Sequence, residues 1–511
     1  MKPAFLTIPA AILCAAYITS SVHAQSRQPV SSPAPALQHF ASAGHPDGSG
    51  SLPYAMAAER DEWREAIAGL EEHGLNPQPY LNRFDALSDF RPVTAAPLIL
   101  QLASDLRYGS DARPDVTQHQ QLSDITYQLM TDCDAPAHCL QQLAAHHPDY
   151  APLQAMMRHY RQLAEQGHWP QVADGPALKP GAQDARVPAM RELLRLSGDL
   201  PRGVAVRGGQ ERLYDAPLQE AMRRFQRRHG LTQDAVAGAQ TLAALRITPA
   251  QRVQQMALAL EQMRRSEQPE NGIVVNVPQY RLQAFENGRE VLAMDVIVGR
   301  SDRATPMFDK VIDRLVINPT WTPTRKIINE DLLPKLRDNP SYAYNGGYKV
   351  YDRSSGSEVD ATRVDWQQVN ADDVRLVQKP GRSNALGRIK FMLPDNQAIY
   401  LHDTASPRLF SKSERALSSG CIRLSDPEAL LDYVLKGQSD TQIERANRAW
   451  QKAGDEPELV MLNHSVPVRM AYFSARVNRE GEVMFFDDVY GRDAALRKSM
   501  QGRLAASPAP R

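Results

Sequence analysis

Ile399-Tyr400-Leu401-His402-Asp403-Thr404, then a polar loop, then Ser418-Ser419-Gly420-Cys421-Ile422-Arg423-Leu424: the reading of this chain turns on these two runs. Cys421 follows a glycine and precedes an apolar run, which places its thiol at a sharp turn that a substrate backbone can approach closely. His402 is its natural partner. An imidazole that takes the thiol proton leaves a thiolate beside a cation, and this pairing is expected to pull the thiol below its usual ~8.5. Tyr400 lies two residues before His402, hence on the same face of a strand, where it lines the groove or donates its hydroxyl. Taken singly, a free cysteine is a small hydrophobe and a lone histidine a satisfied polar group. Together, in this order, they point to a nucleophile and its base.

Working outward, the 511 residues exceed one ordinary core, so two to four domains are expected. Lys+Arg and Asp+Glu number 59 each, a balance that argues against nucleic acid or a strongly anionic membrane surface as a general partner. The 37 prolines imply many loops and linkers. Met1-Lys2, the apolar run Phe5 to Tyr17 and Val22-His23-Ala24 before Gln25 read as a secretory signal over residues 1–24, with an uncleaved membrane anchor as the alternative.

Export changes the cysteine arithmetic. Cys14 leaves with the signal, and Cys133 and Cys139, separated by turn residues, suit a local disulfide in an oxidising compartment. A metal site at that pair lacks a second pair of ligands at suitable spacing, so no metal is expected there. Cys421 is left over, and an odd cysteine in an exported protein marks a reactive thiol.

Along the chain, residues 25–51 are rich in Ser, Pro, Ala and Gly and read as a flexible linker. Residues 52–185 show helical spacing, as in Trp63, Ile67 and Leu70, and carry no catalytic cluster; they read as a helical scaffold. A small helical unit spans 186–245 and a connecting helix 246–270, opened by Pro249. From Asn271 the period turns strand-like, in Ile273 to Val277, Tyr280 to Phe285 and Val291 to Val298. Residues 323–380 look irregular and polar and fit an inserted lid or capping subdomain over a groove. Ser425 is a candidate cap for a helix at Pro427 to Leu435, Val466 to Val477 and Val483 to Phe486 are expected to close the sheet, and 496–511 read as a tail. The fold class is therefore multidomain α+β.

The pattern Tyr-Leu-His-Asp-Thr followed by Ser-Ser-Gly-Cys-Ile-Arg-Leu resembles the active-site signature of the L,D-transpeptidases, the YkuD-type cysteine enzymes that cross-link peptidoglycan. Val-Asn-Val-Pro-Gln-Tyr-Arg-Leu, Val-Gly-Arg, Thr305-Pro306 and Asn318-Pro319-x-Trp321 extend the likeness over about Gly272 to Arg492, with the catalytic domain read as 271–495. Residues 186–245, with Phe225-Gln226, Gly230-Leu231, Gly238 and Thr241, resemble the three-helix peptidoglycan-binding module. Ala235 departs from its usual glycine, and a structural spacer is the other reading.

The resemblance implies a large, scaffold-bearing enzyme, exported to the periplasm and associated with the cell wall, whose partners are peptidoglycan stem peptides and glycan. Cys421 attacks a tetrapeptide stem with His402 as base, D-Ala leaves, and the acyl group passes to a stem side-chain amine in a 3→3 cross-link. Backbone N–H groups of Ser419, Gly420 and Cys421 are the oxyanion donors. A backbone carbonyl, or else Asp403, orients the imidazole. Arg423, Asn384 and Trp321 are substrate contacts, and carbapenems are expected to acylate the thiol. Hydrolysis, transfer to a lipoprotein amine, and a non-catalytic wall-binding protein are the competing readings.

Overall fold

The computed structural model describes residues 55–110, 114–144, 147–206, 208–266, 268–394, 399–452 and 456–506. The signal and linker readings lie outside the described residues.

Six helices open the described chain: α1 (Arg60–Ala68), α2 (Gln78–Asp85), α3 (Pro92–Tyr108), α4 (Val116–Thr131), α5 (Pro136–Ala144) and α6 (Tyr150–Glu165). They bury the stripe that the spacing implied, with Trp63, Ile67 and Leu70 fully enclosed. Cys133, just before α5, is disulfide-bonded to Cys139 within it, and Cys421 is in no disulfide.

Helices α7 (Val187–Leu196), α8 (Ala216–Arg228) and α9 (Ala239–Leu245) enclose their own small core around Met190, Leu194, Met222 and Phe225. Ala235, the departure from glycine, takes the left-handed conformation that glycine would supply, at φ 59°. Its N–H is held by the Gln226 side chain at 2.9 Å and its carbonyl by the Tyr214 hydroxyl at 2.5 Å, so these bonds offset the ~1 kcal/mol that this backbone region costs a residue with a Cβ.

Helix α10 (Pro249–Arg264) starts at Thr248, whose hydroxyl accepts from the Gln251 N–H while Pro249 occupies the first turn. Its other end is welded to the helical region. The buried Glu261 carboxylate pairs with Arg264 and Arg265 and accepts from the Ser110 N–H and hydroxyl, and Arg264 donates to the His73 carbonyl and the Tyr150 hydroxyl. A buried pair satisfied on both sides holds relative orientation more than it adds stability.

The strand-rich part contains β1 (Gly272–Asn276), β2 (Arg281–Glu286), β3 (Arg289–Gly299), β4 (Asp309–Ile317), β5 (Tyr348–Asp352), β6 (Glu358–Val359), β7 (Val374–Gln378), β8 (Ile389–Met392), β9 (Tyr400–His402), β10 (Ala416–Ser418), β11 (Ile422–Leu424), β12 (Glu458–Ala471), β13 (Ala475–Val477) and β14 (Val483–Phe485). The main sheet runs β10-β3-β11-β9-β8-β4-β12-β1-β2, and the further β2–β3 pairing closes it on itself. Its inward side chains, among them Val275, Leu282, Val296, Leu315, Phe391, Leu401 and Ile422, form one core capped by Leu430, Leu431 and Val434 of α11 (Pro427–Leu435) and Ala446 of α12 (Asp440–Gln451).

Four expectations need correction. The sheet is closed by β2 on β3, because the Asn287-Gly288 hairpin returns the chain directly alongside; β13 and β14 pair only with each other. Residues 492–506 form a helix, α13 (Arg492–Ala506), where a tail was expected over 496–511. The cap of α11 is Asp426, whose carboxylate accepts from the Ala429 N–H at 3.0 Å, and not Ser425. Residues 323–380 are ordered where an irregular lid or capping subdomain was expected. They form a small subdomain with helical turns from Arg325 to Asp338, the sheet β6-β5-β7, and a core of Ile328, Leu332, Leu336, Val350, Trp366 and Leu376. Its elements are too short to show a period in the sequence.

Candidate active site

The closed sheet brings β8, β9 and β11 side by side. Register pairs Lys390 with His402 and His402 with Arg423, so these three side chains form one row across the sheet, while Ile422 sits beside Leu401 in the core. Cys421, directly before β11, and Tyr400, at the start of β9, belong to the same face, and the Tyr400 and His402 rings meet edge to face at 5.7 Å between centroids. A cavity of about 580 Å³ lies over them, with Cys421, His402, Tyr400, Arg423, Ser419 and Trp321 all in its walls.

The turn carrying Cys421 is stapled from behind. Ser418 is buried; its hydroxyl donates to the Cys421 carbonyl at 2.5 Å and accepts from the Gly420 N–H at 3.1 Å. Thr305 donates to the Gly420 carbonyl at 2.8 Å and accepts from the Gly299 N–H at 2.9 Å. Gly420 adopts φ 112°, a conformation that disfavours any side chain, and a Cβ there would press on Ile399 at 3.2 Å. The reading of Gly420 as an oxyanion donor is therefore corrected: its N–H is already used to shape the turn. Ser419 and Cys421 remain as candidate donors.

His402 is 4% exposed. Its Nδ1 lies 2.5 Å from the Asp403 carbonyl, which sets Nδ1–H as the donor and leaves Nε2 with the lone pair. The Asp403 carboxylate turns the other way, accepting from the Arg388 and Thr404 N–H groups at 2.8 and 2.6 Å. A backbone carbonyl, not this acid, orients the ring.

The electrostatics reverse the expected thiolate. Burial, then the Arg423 charge, push the imidazole down to about 3, against hydrogen bonding to the Asp403 carbonyl. Burial pushes the Cys421 thiol up to about 11, although the Tyr400 backbone and the Arg423 and Lys390 charges pull the other way. Burial thus favours a neutral thiol and a neutral imidazole at rest, in place of the ion pair expected from the sequence.

Arg423 lines the cavity with its Nε lacking a hydrogen-bond partner among the described residues, and no carboxylate there pairs with it. Trp321 lines the cavity at the neck of the lid, where its N–H and carbonyl exchange hydrogen bonds with Gln378 at 3.0 and 2.8 Å. Asn384, expected as a substrate contact, is fully buried: its amide donates to the Pro319 and Lys379 carbonyls and accepts from the Leu386 N–H. That is a turn-forming role, and the reading is corrected. Among the described residues no cluster of His, Cys, Asp and Glu suits a metal.

Sequence reasoning missed Arg303. It is 8% exposed and donates to the Ser419 hydroxyl at 2.8 Å, to Asp331 at 2.6 Å and to Glu330, tying the turn that carries Cys421 to the lid's π-helical turn, Ile328–Leu332. Nothing local distinguishes it from other loop arginines. Its acidic partners are substantially exposed, which discounts the pairing, yet both ends of the contact are lost together. Arg303→Met is expected to slow acylation of Cys421 about tenfold with the fold retained, measured as a second-order acylation rate. An unchanged rate would remove the lid contact from the account.

Burial also leaves a signature in stability. His402, at about 3, joins His73 and His147, each at about 4, and His229, driven well down. Unfolded histidines bind a proton below ~6.5 while these do not, so stability is full above that pH and falls as pH drops from 6.5 toward 4. Asp105 and Asp493, raised by burial to about 6, act oppositely between ~4 and 6. Four groups against two predict a net loss on the order of several kcal/mol, read as urea midpoints at pH 7.5 and pH 5.

Residues 270–443 match the YkuD family, "L,D-transpeptidase catalytic domain". That part of the chain is similar to a YkuD catalytic domain. Residues 183–245 match the family described as "Putative peptidoglycan binding domain". A Haemophilus influenzae protein named "Putative L,D-transpeptidase" is 34% identical over 244 residues, covering 48% of this chain and 49% of its own length, so the chain spans about half of that curated relative. Crystal structures of L,D-transpeptidases from Xylanimonas cellulosilytica and Stackebrandtia nassauensis are 15% and 13% identical, cover 58% and 61% of this chain and 98% and 99% of theirs, and have TM-scores of 0.18 and 0.21. Likenesses that weak bear no weight. The YkuD match contains both Cys421 and His402, whereas β12 to β14 lie beyond it.

Proposed function

We propose that this chain is an exported, cell-wall-acting L,D-transpeptidase in which Cys421 is the nucleophile and His402 the base. The observation that carries the reading is a thiol outside any disulfide and a buried neutral imidazole, its tautomer set by a carbonyl, in the walls of one lid-covered cavity within a YkuD-like domain.

The donor is a tetrapeptide stem ending in D-Ala. Its carboxylate suits Arg423, which lacks an acid of its own. With an anion on Arg423, the charge that depresses His402 is neutralised and Nε2 becomes a better base once the donor is seated. Nε2 then takes the thiol proton as sulfur attacks the carbonyl carbon of the third residue. Ser419 and Cys421 N–H groups face the developing oxyanion. The C–N bond breaks, His402 returns its proton to the departing D-Ala amine, and a thioester remains on Cys421. A side-chain amine of a second stem attacks the thioester, gives a proton to His402, and leaves a 3→3 amide while the thiol is re-formed. No step calls for a metal or an organic cofactor. The helical region and the unit at 186–245 serve as scaffold and wall-binding module, and carbapenems acylate the same thiol.

The test is product analysis with disaccharide-tetrapeptide. Free D-Ala together with a dimer one D-Ala lighter than two donors supports transfer. D-Ala release with monomeric tripeptide shows hydrolysis, and no release of D-Ala refutes the reading.

A further inference from the structure

Between the peptidoglycan-binding module and the YkuD domain lies a second cavity, about 440 Å³, that the acyl-transfer chemistry does not use. One wall comes from the end of α8 and the loop into α9, the other from the β1–β2 turn and the segment before β10. A hydrogen bond from Ser413 to the Gln240 side chain, 3.2 Å, crosses the seam.

The chemistry of the walls selects the ligand. The cations are already engaged: Arg281 and Arg415 share Asp295 at 3.6 and 3.2 Å, and Arg227 pairs with Glu482 at 2.7 Å. What remains for a ligand is neutral or acceptor-only. The amide nitrogens of Gln233, Gln240 and Gln279 and the hydroxyl of Tyr280 make no hydrogen bond among the described residues, and the exposed carboxylates of Glu414 and Asp487 pair with no cation there. Amides and carboxylates of this kind hydrogen-bond hydroxyl and acetamide groups, while the carboxylates repel an anion. The catalytic cavity shows the opposite bias, with Arg423 lacking an acid. Tyr280, held at φ 55°, fixes the floor. Position completes the case: after Arg415, whose carbonyl accepts from the Val298 N–H at 3.0 Å, the chain runs through β10 directly to Cys421.

We propose that this seam binds the neutral, N-acetylated glycan strand of the substrate, so that the stem peptide it carries is delivered to Cys421. The proposal rests on the transpeptidase reading and names the half of the substrate that the catalytic cavity does not hold.

The test uses the whole chain, wild type and Gln240→Ala/Gln279→Ala, with peptide-free N-acetylated glycan strands, with strand-borne tetrapeptide stems, and with free tetrapeptide. The double variant is expected to bind the peptide-free strands about tenfold more weakly and to lose a similar factor in kcat/KM on strand-borne stems. Its D-Ala release from free tetrapeptide stays at the wild-type rate, which also shows that the variant is folded. Equal strand binding by both proteins, or no binding of peptide-free strands by the wild type, overturns the proposal. Failure of the transpeptidase reading is separate: the wild type then releases no D-Ala from free tetrapeptide, whatever it binds.

Discussion

Cys421→Ala is expected to abolish D-Ala release from a tetrapeptide stem, a fall of at least about 10³-fold, while the unfolding midpoint moves little. The turn that carries Cys421 is held mainly from behind, by hydroxyls acting on its backbone. Ser418, Thr305 and Gly420 hold it through backbone atoms, so an alanine methyl sits where the Cβ already is, and the stability change stays within ~1 kcal/mol. Cys421→Ser is expected to be nearly as inactive. A hydroxyl is a still weaker acid than a thiol held at about 11, and the neutral imidazole has no charge with which to help it ionise. Circular dichroism and D-Ala assays on the three proteins separate loss of chemistry from loss of fold.

His402→Gln is expected to lower the rate by roughly 10²- to 10⁴-fold, the range for removing a positioned base. Glutamine can donate to the Asp403 carbonyl as the imidazole does, so orientation of the strand end survives while the lone pair that accepts the proton does not. The two proteins should also differ in pH response. In the wild type the resting imidazole is unprotonated throughout pH 6 to 8, its pKa lying near 3, so the rate changes little over that window. In the variant the thiol must ionise unaided, and the residual rate should climb about tenfold per pH unit toward the thiol value of about 11. A flat profile in the variant would show that His402 is not the group that removes the proton.

These expectations depend on burial, and burial is what local sequence expresses least. That Cys421 and His402 line one cavity was legible because both sit in short motifs at the ends of strands, and the period-2 rule placed Tyr400 on the face of His402. The disulfide followed from compartment and spacing. What the motif hid was charge state: the same two residues read as an ion pair until the closed sheet and lid are in view. Arg303 and Lys390 were missed for a related reason. Lys390 becomes a neighbour of His402 only through antiparallel register, and Arg303 reaches Ser419 from 116 residues away in sequence. Asn384 failed in the opposite direction, since a polar residue beside a glycine-rich turn looks alike whether it faces a groove or fastens the turn. The lid's internal order was missed because a subdomain of two- to five-residue strands and broken helical turns carries its core in scattered apolar positions, Ile328 and Leu376 among them.

The most direct measurement is the intact mass of the protein after brief incubation with disaccharide-tetrapeptide, wild type beside Cys421→Ala. A species on the wild type heavier by the donor less D-Ala, absent from the variant and discharged by a stem amine, is the predicted result. An adduct of equal yield on both proteins, or D-Ala released with the variant at the wild-type rate, would contradict the assignment of Cys421 as the nucleophile.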